Sequence, residues 1–227
     1  NLAAFGFRVR HVRLIVNSHA HYDHAGGIAR LQRDSGAEVA ASPSGAAALR
    51  AGRPVPNDPQ FGKDGSDGVF PKVARVREVK DGEALRVGDV EITAHFTPGH
   101  TPGSTTWTWK SCEGSTCVDM VYADSLTAIS SEGFRFTGDG TPTRPDVSGA
   151  FRQSIATLSA LPCDLMLTTH PGASKLFDRL ALRREATPTG TAPNPDPLID
   201  RNACRSYAAG ALRNLEARIA TERSSRP

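Results

Sequence analysis

Asn17-Ser18-His19-Ala20-His21-Tyr22-Asp23-His24-Ala25-Gly26-Gly27 gathers three imidazoles and a carboxylate within six residues. The run before it, Val12-Arg13-Leu14-Ile15-Val16, is β-branched and apolar and predicts a short buried strand. The run after it, Ile28 to Arg33, has helical character and should end near Ser35-Gly36. The cluster is therefore expected in a loop at the C-terminal end of a strand, where α/β folds place their sites. Polar groups at this density are costly to bury unless something pairs with them, and a metal ion is a fitting partner. His19 and His21, two apart in an extended turn, can share one ion, while Asp23 and His24 can serve a second. Zinc takes imidazole nitrogen and carboxylate oxygen at about 2.0–2.2 Å. A solvated His-rich loop or one structural zinc is the plainer alternative. Two further His-bearing loops downstream weigh against it.

The first of those loops follows three β segments, Val73–Val79, Ala84–Val87 and Val90–Phe96, the last two joined by a hairpin turn at Gly88-Asp89. It reads Thr97-Pro98-Gly99-His100-Thr101-Pro102-Gly103-Ser104, where two prolines and two glycines fix a tight turn that projects His100. The second follows the apolar strand Asp164–Thr168 and reads Thr169-His170-Pro171. Three strand ends thus carry five histidines and one aspartate, enough for two ions. The other two histidines, His11 and His95, lack such context and are assigned to structure or surface.

Between these points the chain alternates helix and strand. Asn1–Phe7 reads as the tail of a helix stopped at Gly6, Glu38–Ala41 as a strand, and Pro43–Ala51 as a helix with proline at its start. Gly52–Lys72 reads as a long surface loop, a flap over the site or a connector. Thr105–Trp109 and Val118–Ala123 form a strand pair leading to Asp124-Ser125-Leu126-Thr127. Val147–Leu161 is an amphipathic helix, Ala173–Leu182 is partly helical, and Glu185–Pro197 is a Pro- and Thr-rich excursion. Asp200–Arg223 closes the chain as a helix with Ala208, Ala211, Leu212, Leu215 and Ile219 on one face.

Composition narrows the function classes. The 227 residues, 38% hydrophobic and 22% charged, suit one α/β domain spanning 1–227 with a full core. A net charge of +3, without basic blocks or interleaved aromatics, is no nucleic-acid footprint. No apolar run approaches the ~18 residues of a membrane span. Of the four cysteines, Cys112 and Cys117 flank a loop-like insert, Glu113–Thr116, that a disulfide could staple. A bridge between Cys163, before a strand, and Cys204, at the start of the last helix, would pin that helix. Two disulfides imply an oxidising compartment, periplasmic or extracellular; four reduced thiols in a cytosolic enzyme are the alternative.

His-x-His-x-Asp-His, Gly-His-Thr-Pro-Gly, an Asp-Ser element and a late Thr-x-His together resemble the metallo-β-lactamase superfamily over about Val12 to His170. Ser-His-Ala-His-Tyr-Asp-His-Ala-Gly-Gly, Tyr-Ala-Asp-Ser-Leu-Thr-Ala-Ile and Thr-His-Pro are most similar to subclass B3, and the cysteine pairs to its AIM-type and SMB-type members. The resemblance implies an αββα sandwich with two Zn2+ ions at one edge of its sheets. His19, His21 and His100 would hold the first ion, and Asp23, His24 and His170 the second. Ser125 and Thr127 would contact the substrate carboxylate, and Asp23 would also orient the nucleophile and pass on its proton. The implied reaction is hydrolysis of the β-lactam amide of penicillins, cephalosporins and carbapenems by metal-activated hydroxide, without an acyl-enzyme. The protein would be a monomer acting on a small molecule, with no nucleic-acid or membrane partner. Superfamily members place β structure before the His-x-His strand, whereas about sixteen residues precede it here, so the first strands are expected to be missing from this numbering. The loops 52–72 and 131–146 are expected to shape β-lactam preference. Other dizinc hydrolases, a lactonase or a glyoxalase II-like thioesterase, form the alternative, which an Asp124 bridging both metals would favour. A zinc-binding scaffold without activity is a further alternative, disfavoured by six intact donors.

Overall fold

The computed structural model describes residues 2–62, 68–139, 141, 143–186 and 195–225. Parts of the sequence expectations, at position 1, residues 63–67 and 187–194 and positions 140 and 142, lie outside the described residues.

Two sheets face each other. The first has three parallel strands in the order β1 (Leu14–Val16), β2 (Glu38–Ala41) and β3 (Arg77–Glu78). The second has five, β4 (Ala84–Val87), β5 (Val90–Phe96), β6 (Thr105–Glu113), β7 (Thr116–Ala123) and β8 (Leu165–Thr168), antiparallel except for the parallel β7–β8 pair. Side chains alternate across a strand, so each sheet has two faces to bury. Trp107, Ala94, Leu85, Ala40 and Val79 fill the space between the sheets. On the outer face of the first sheet, Ile15 and Val39 pack with Ile28 of α2 (Ile28–Ser35) and with Ala46 and Leu49 of α3 (Pro43–Ala51). On the outer face of the second, Val121 and Met166 pack with Phe151, Ile155 and Leu158 of α4 (Ser148–Ala160) and, beyond α5 (Leu176–Glu185) in the chain, with Ala208, Leu215 and Ile219 of α6 (Ala203–Ser224). Three apolar layers between four structural ones make the expected αββα sandwich.

Local departures from the sequence reading have physical causes. Only Arg77 and Glu78 of the predicted strand 73–79 pair with β2, because the earlier part is drawn onto α3 by Val73 N–H donating to the Leu49 carbonyl. The insert between the first cysteines is narrower than expected. Cys112 and Cys117 face each other in register, β6 and β7 run on to Glu113 and Thr116, and the turn is Gly114-Ser115, with Gly114 at φ +59°. Leu212 stands on the solvent side of α6, 39% exposed, since Ala208, Ala211, Leu215 and Ile219 already complete the buried stripe. The helix tail expected at the start is a single 3-10 turn, Leu2–Phe5, ended by Gly6 at φ +76°. Disulfides join Cys112 to Cys117 and Cys163 to Cys204.

Candidate metal centre

The loop after β1 is held by the protein's own hydrogen bonds. Asn17 N–H donates to the Ala40 carbonyl, the Asn17 amide to the His19 carbonyl at 2.7 Å, and the Trp107 indole to the Asn17 carbonyl at 3.0 Å. His21 then caps a one-turn helix, α1 (Tyr22–Ala25), that the sequence reading missed. That turn directs Asp23 and His24 toward the strand end that carries His170. Gly99 delivers His100: its φ of +153° suits glycine, and a Cβ there would lie 2.2 Å from the Phe151 ring. Ser42, the cap of α3, donates to the Gly103 carbonyl at 2.6 Å and ties the far side of the turn to the first sheet.

The six predicted donors gather into two sets, His19/His21/His100 and Asp23/His24/His170, with the donor atoms of each set within 4.8 Å of one another. The sets adjoin through His19 and His24, whose ring centroids are 4.2 Å apart. In the first set each ring has one nitrogen engaged from behind. His19 Nδ1 lies 2.6 Å from Asp124 Oδ1, His21 Nε2 lies 3.1 Å from Asp58 Oδ1, and His100 Nδ1 lies 3.0 Å from the Thr127 carbonyl. Of the opposite nitrogens, buried His19 Nε2 has no hydrogen-bond partner and His100 Nε2 lies 3.4 Å from the Gln60 amide nitrogen. An orphaned imidazole nitrogen converging with two others is what a cation of borderline softness requires, so the residues fit a metal ion. In the second set Asp23 Oδ2 lies 3.1 Å from His24 Nε2 and 3.6 Å from His170 Nε2.

Electrostatics agree with metal binding. Burial, and then the neighbouring His19, push His100 down to about 4. The same two causes bring His24 to about 4, keeping both rings neutral and able to ligate at neutral pH. Burial lowers His19 as well, but Asp124 outweighs it and lifts the imidazole above its ordinary value. Burial would raise the Asp124 carboxyl, yet His19 outweighs it and holds the group below the usual carboxylate range.

Other predicted residues fall out unevenly. Ser125 is buried with its hydroxyl 2.8 Å from that of Thr169, and the Thr127 hydroxyl lies 3.0 Å from His100 Nδ1. Asp124 sits behind His19 and belongs to neither donor set. His95 meets the Thr108 hydroxyl at 2.9 Å and His11 accepts from Arg8 N–H, both away from the site. Sequence reasoning missed Asp58, which lies among turn residues 37 positions from the histidine it holds. The loops 52–72 and 131–146 together border a cavity of about 480 Å³ lined by Pro56, Pro59, Phe61, Phe134 and Val147. Among the described residues that line it, Asp58 and Gly99 adjoin the metal centre and none of the six donors is present.

Two three-donor sets at the strand ends of this layered fold accord with the family comparison, in which residues 2–108 match the metallo-beta-lactamase superfamily. The chain belongs to that superfamily. Among solved structures it is similar to Rm3 metallo-beta-lactamase, at 46% identity and TM-score 0.88 over 98% of this chain and 78% of that one. It is also similar to MEM-A1, a subclass B3 metallo-beta-lactamase from a soil metagenome library, at 41% identity and TM-score 0.90 over 99% and 81%. SMB-1, solved with 2-mercaptoethanesulfonate, gives 40% identity and TM-score 0.87 over 98% and 80%. Curated relatives match over shorter segments. A hydroxyacylglutathione hydrolase of Maricaulis maris is 32% identical over 89 residues, 39% of this chain and 26% of that protein. The acyl-coenzyme A thioesterase MBLAC2 of Gallus gallus is 31% identical over 102 residues, 40% and 35%. The matched chain thus spans about a quarter to a third of these curated relatives.

Proposed function

We propose that the protein is a zinc-dependent β-lactamase, one domain acting as a monomer on penicillins, cephalosporins and carbapenems and so conferring resistance to them. The observation that carries the reading is the pair of three-donor sets, one nitrogen of which is buried without a partner, in a chain similar throughout to subclass B3 enzymes. Imidazole nitrogen with one carboxylate suits zinc better than the oxygen-seeking calcium or magnesium. His19, His21 and His100 would hold one ion, and Asp23, His24 and His170 the other. When bound, the ions would polarise the lactam carbonyl and acidify a water toward neutral pH.

The chain's own groups do the rest. Asp23, a member of the second donor set and 56% exposed at its side chain, would orient the attacking water and pass on its proton. Ser125 and Thr127 follow the end of β7 and would contact a substrate carboxylate; the Thr127 hydroxyl lies 3.0 Å from His100 Nδ1. No serine or cysteine nucleophile is required, so no acyl-enzyme forms. Loops 52–72 and 131–146 shape the choice among β-lactams. Two disulfides call for an oxidising compartment, periplasmic or extracellular. Among the described residues no helix is long and apolar enough to cross a membrane.

A thioester hydrolase is the second reading, supported by the two curated thioesterase-type matches. Against it, Asp124 is engaged behind His19 rather than lying between the donor sets. The deciding measurement is turnover of a carbapenem, a cephalosporin and acyl-thioesters by the zinc-loaded protein, before and after a chelator. Ring opening that the chelator abolishes is expected. A folded, zinc-loaded protein that cleaves thioesters and leaves both lactams intact would overturn the reading.

A further inference from the structure

We propose that Asp58 is a positioning residue of the metal centre: it fixes which nitrogen of His21 faces the ion and makes the loop around it part of the first donor set. The inference rests on the reading above that this set holds an ion. The Asp58 side chain is 4% exposed, and its two oxygens lie 3.1 and 3.2 Å from His21 Nε2. A carboxylate there accepts the Nε2 proton, which leaves the Nδ1 lone pair for the cluster. His19 and His100 are held the other way round, by Nδ1, and present Nε2. The first set is therefore mixed, and His21 would be its one Nδ1 donor.

Asp58 is itself held on both sides. Its Oδ1 accepts from Gln60 N–H at 2.8 Å, its own N–H donates to the Val55 carbonyl, and its carbonyl accepts from Phe61 N–H. The neighbouring Pro59 carbonyl accepts both the backbone N–H and the hydroxyl of Ser131, at 2.8 and 3.0 Å. The brace on His21 thus continues into the loop after residue 131. Without Asp58, His21 can adopt the other tautomer or turn its ring, and the first ion loses one of three donors. Outer partners of this kind are typically worth 10–100-fold in metal affinity.

The test measures metal rather than turnover. Each site is titrated against a chromophoric chelator in the wild type, Asp58→Ala and Asp58→Asn. Asp58→Ala should weaken the first ion by about 10–100-fold and leave the second unchanged. Asp58→Asn keeps an oxygen for the ring N–H and for Gln60 N–H, and should recover most of the loss. In the unaltered protein loaded with cadmium-113, coupling to His21 should run through Nδ1 while the Nε2 proton persists; this reading stands even if the alanine variant fails to fold. Coupling through Nε2, or a folded Asp58→Ala with wild-type affinity at the first site, would overturn the proposal. His21 bound through Nδ1 in a protein that opens no lactam would support it while sinking the proposed function. A wild type that takes up no ion at the first set would overturn both.

Discussion

The two donor sets hold the same number of ligands in opposite ways. In the first, His19 and His100 are 0% and 5% exposed, and every ring is held from behind by a partner on another segment: Asp124, Asp58 or Thr127. In the second, the side chains of Asp23 and His170 are 56% and 62% exposed, and the short contacts are among the three members themselves. A site whose donors are fixed in advance loses little conformational freedom on taking up an ion, whereas an open one must order its side chains at that moment. The first ion should therefore be the tightly held one and the second the exchangeable one. The open side is also where a substrate can approach, so the looser set is the one that can adapt to it.

Removing one ligand from each set is the strongest way to break this contrast. His19→Ala should lose the first ion and at least about 10³-fold in kcat/KM, some 4 kcal/mol of transition-state stabilisation. It also strands Asp124 as a buried carboxylate without its imidazole. His170→Ala should keep the first ion through dialysis, lose the second, and retain more activity. Metal content by mass spectrometry alongside kinetics reads both. If His170→Ala released both ions, the sets would be one cooperative unit and the contrast would fail.

Gly99→Ala attacks the first set through its support. The new methyl would fall 2.2 Å from the Phe151 ring at a backbone φ of +153°, so α4 or the His100 turn must shift. Overpacking and backbone strain each cost about 1–3 kcal/mol, and a loss near 3 kcal/mol is expected in urea denaturation. The first ion should weaken while the second keeps its affinity. Equal weakening of both would show that the turn serves the whole site.

Much of this was legible in the chain, and the reasons are local. His19, His21, Asp23 and His24 lie within one loop, so spacing alone paired them, and Pro-Gly-His-Thr-Pro-Gly announced a rigid turn around His100. The strand Thr105–Trp109 was legible as part of a sheet, and the stripe Ala208, Ala211, Leu215, Ile219 as the buried face of an outer helix. What stayed hidden depends on contacts distant in sequence. Asp58 reaches His21 across 37 residues and sits in no pattern that distinguishes it from a turn former; Asp124 stood out in its Asp-Ser element, but its reach to His19 across 105 residues did not. The one-turn helix Tyr22–Ala25 is too short to show a period. Leu212 was misplaced because, at about 100° per residue, it falls within about 60° of Ala208, Leu215 and Ile219, and only the packing around the helix leaves it 39% exposed.

Glu222 offers the smallest effect and the cleanest control. It lies on α6, 5% exposed at its side chain, and accepts from Phe136 N–H, Thr137 N–H and the Thr137 hydroxyl at 2.9–3.0 Å and from Arg218 Nε at 2.9 Å. Burial pushes its carboxyl up, but these donors outweigh burial and hold it below the usual carboxylate range. A depressed carboxylate stabilises the fold above its unfolded value of 4.5, and that contribution is lost as pH falls through the lower folded value. Glu222→Gln turns one acceptor into an amide N–H facing existing donors, and should cost about 2 kcal/mol at neutral pH. The wild-type and variant stabilities should converge as pH drops below 4.5, read as urea midpoints across acid buffers. Both ion affinities should be unchanged, because the clamp holds residues 136–137 and touches no donor. If Glu222→Gln loosened the first ion as Gly99→Ala does, the tighter grip of the first set would reflect global stability rather than the three partners behind its rings.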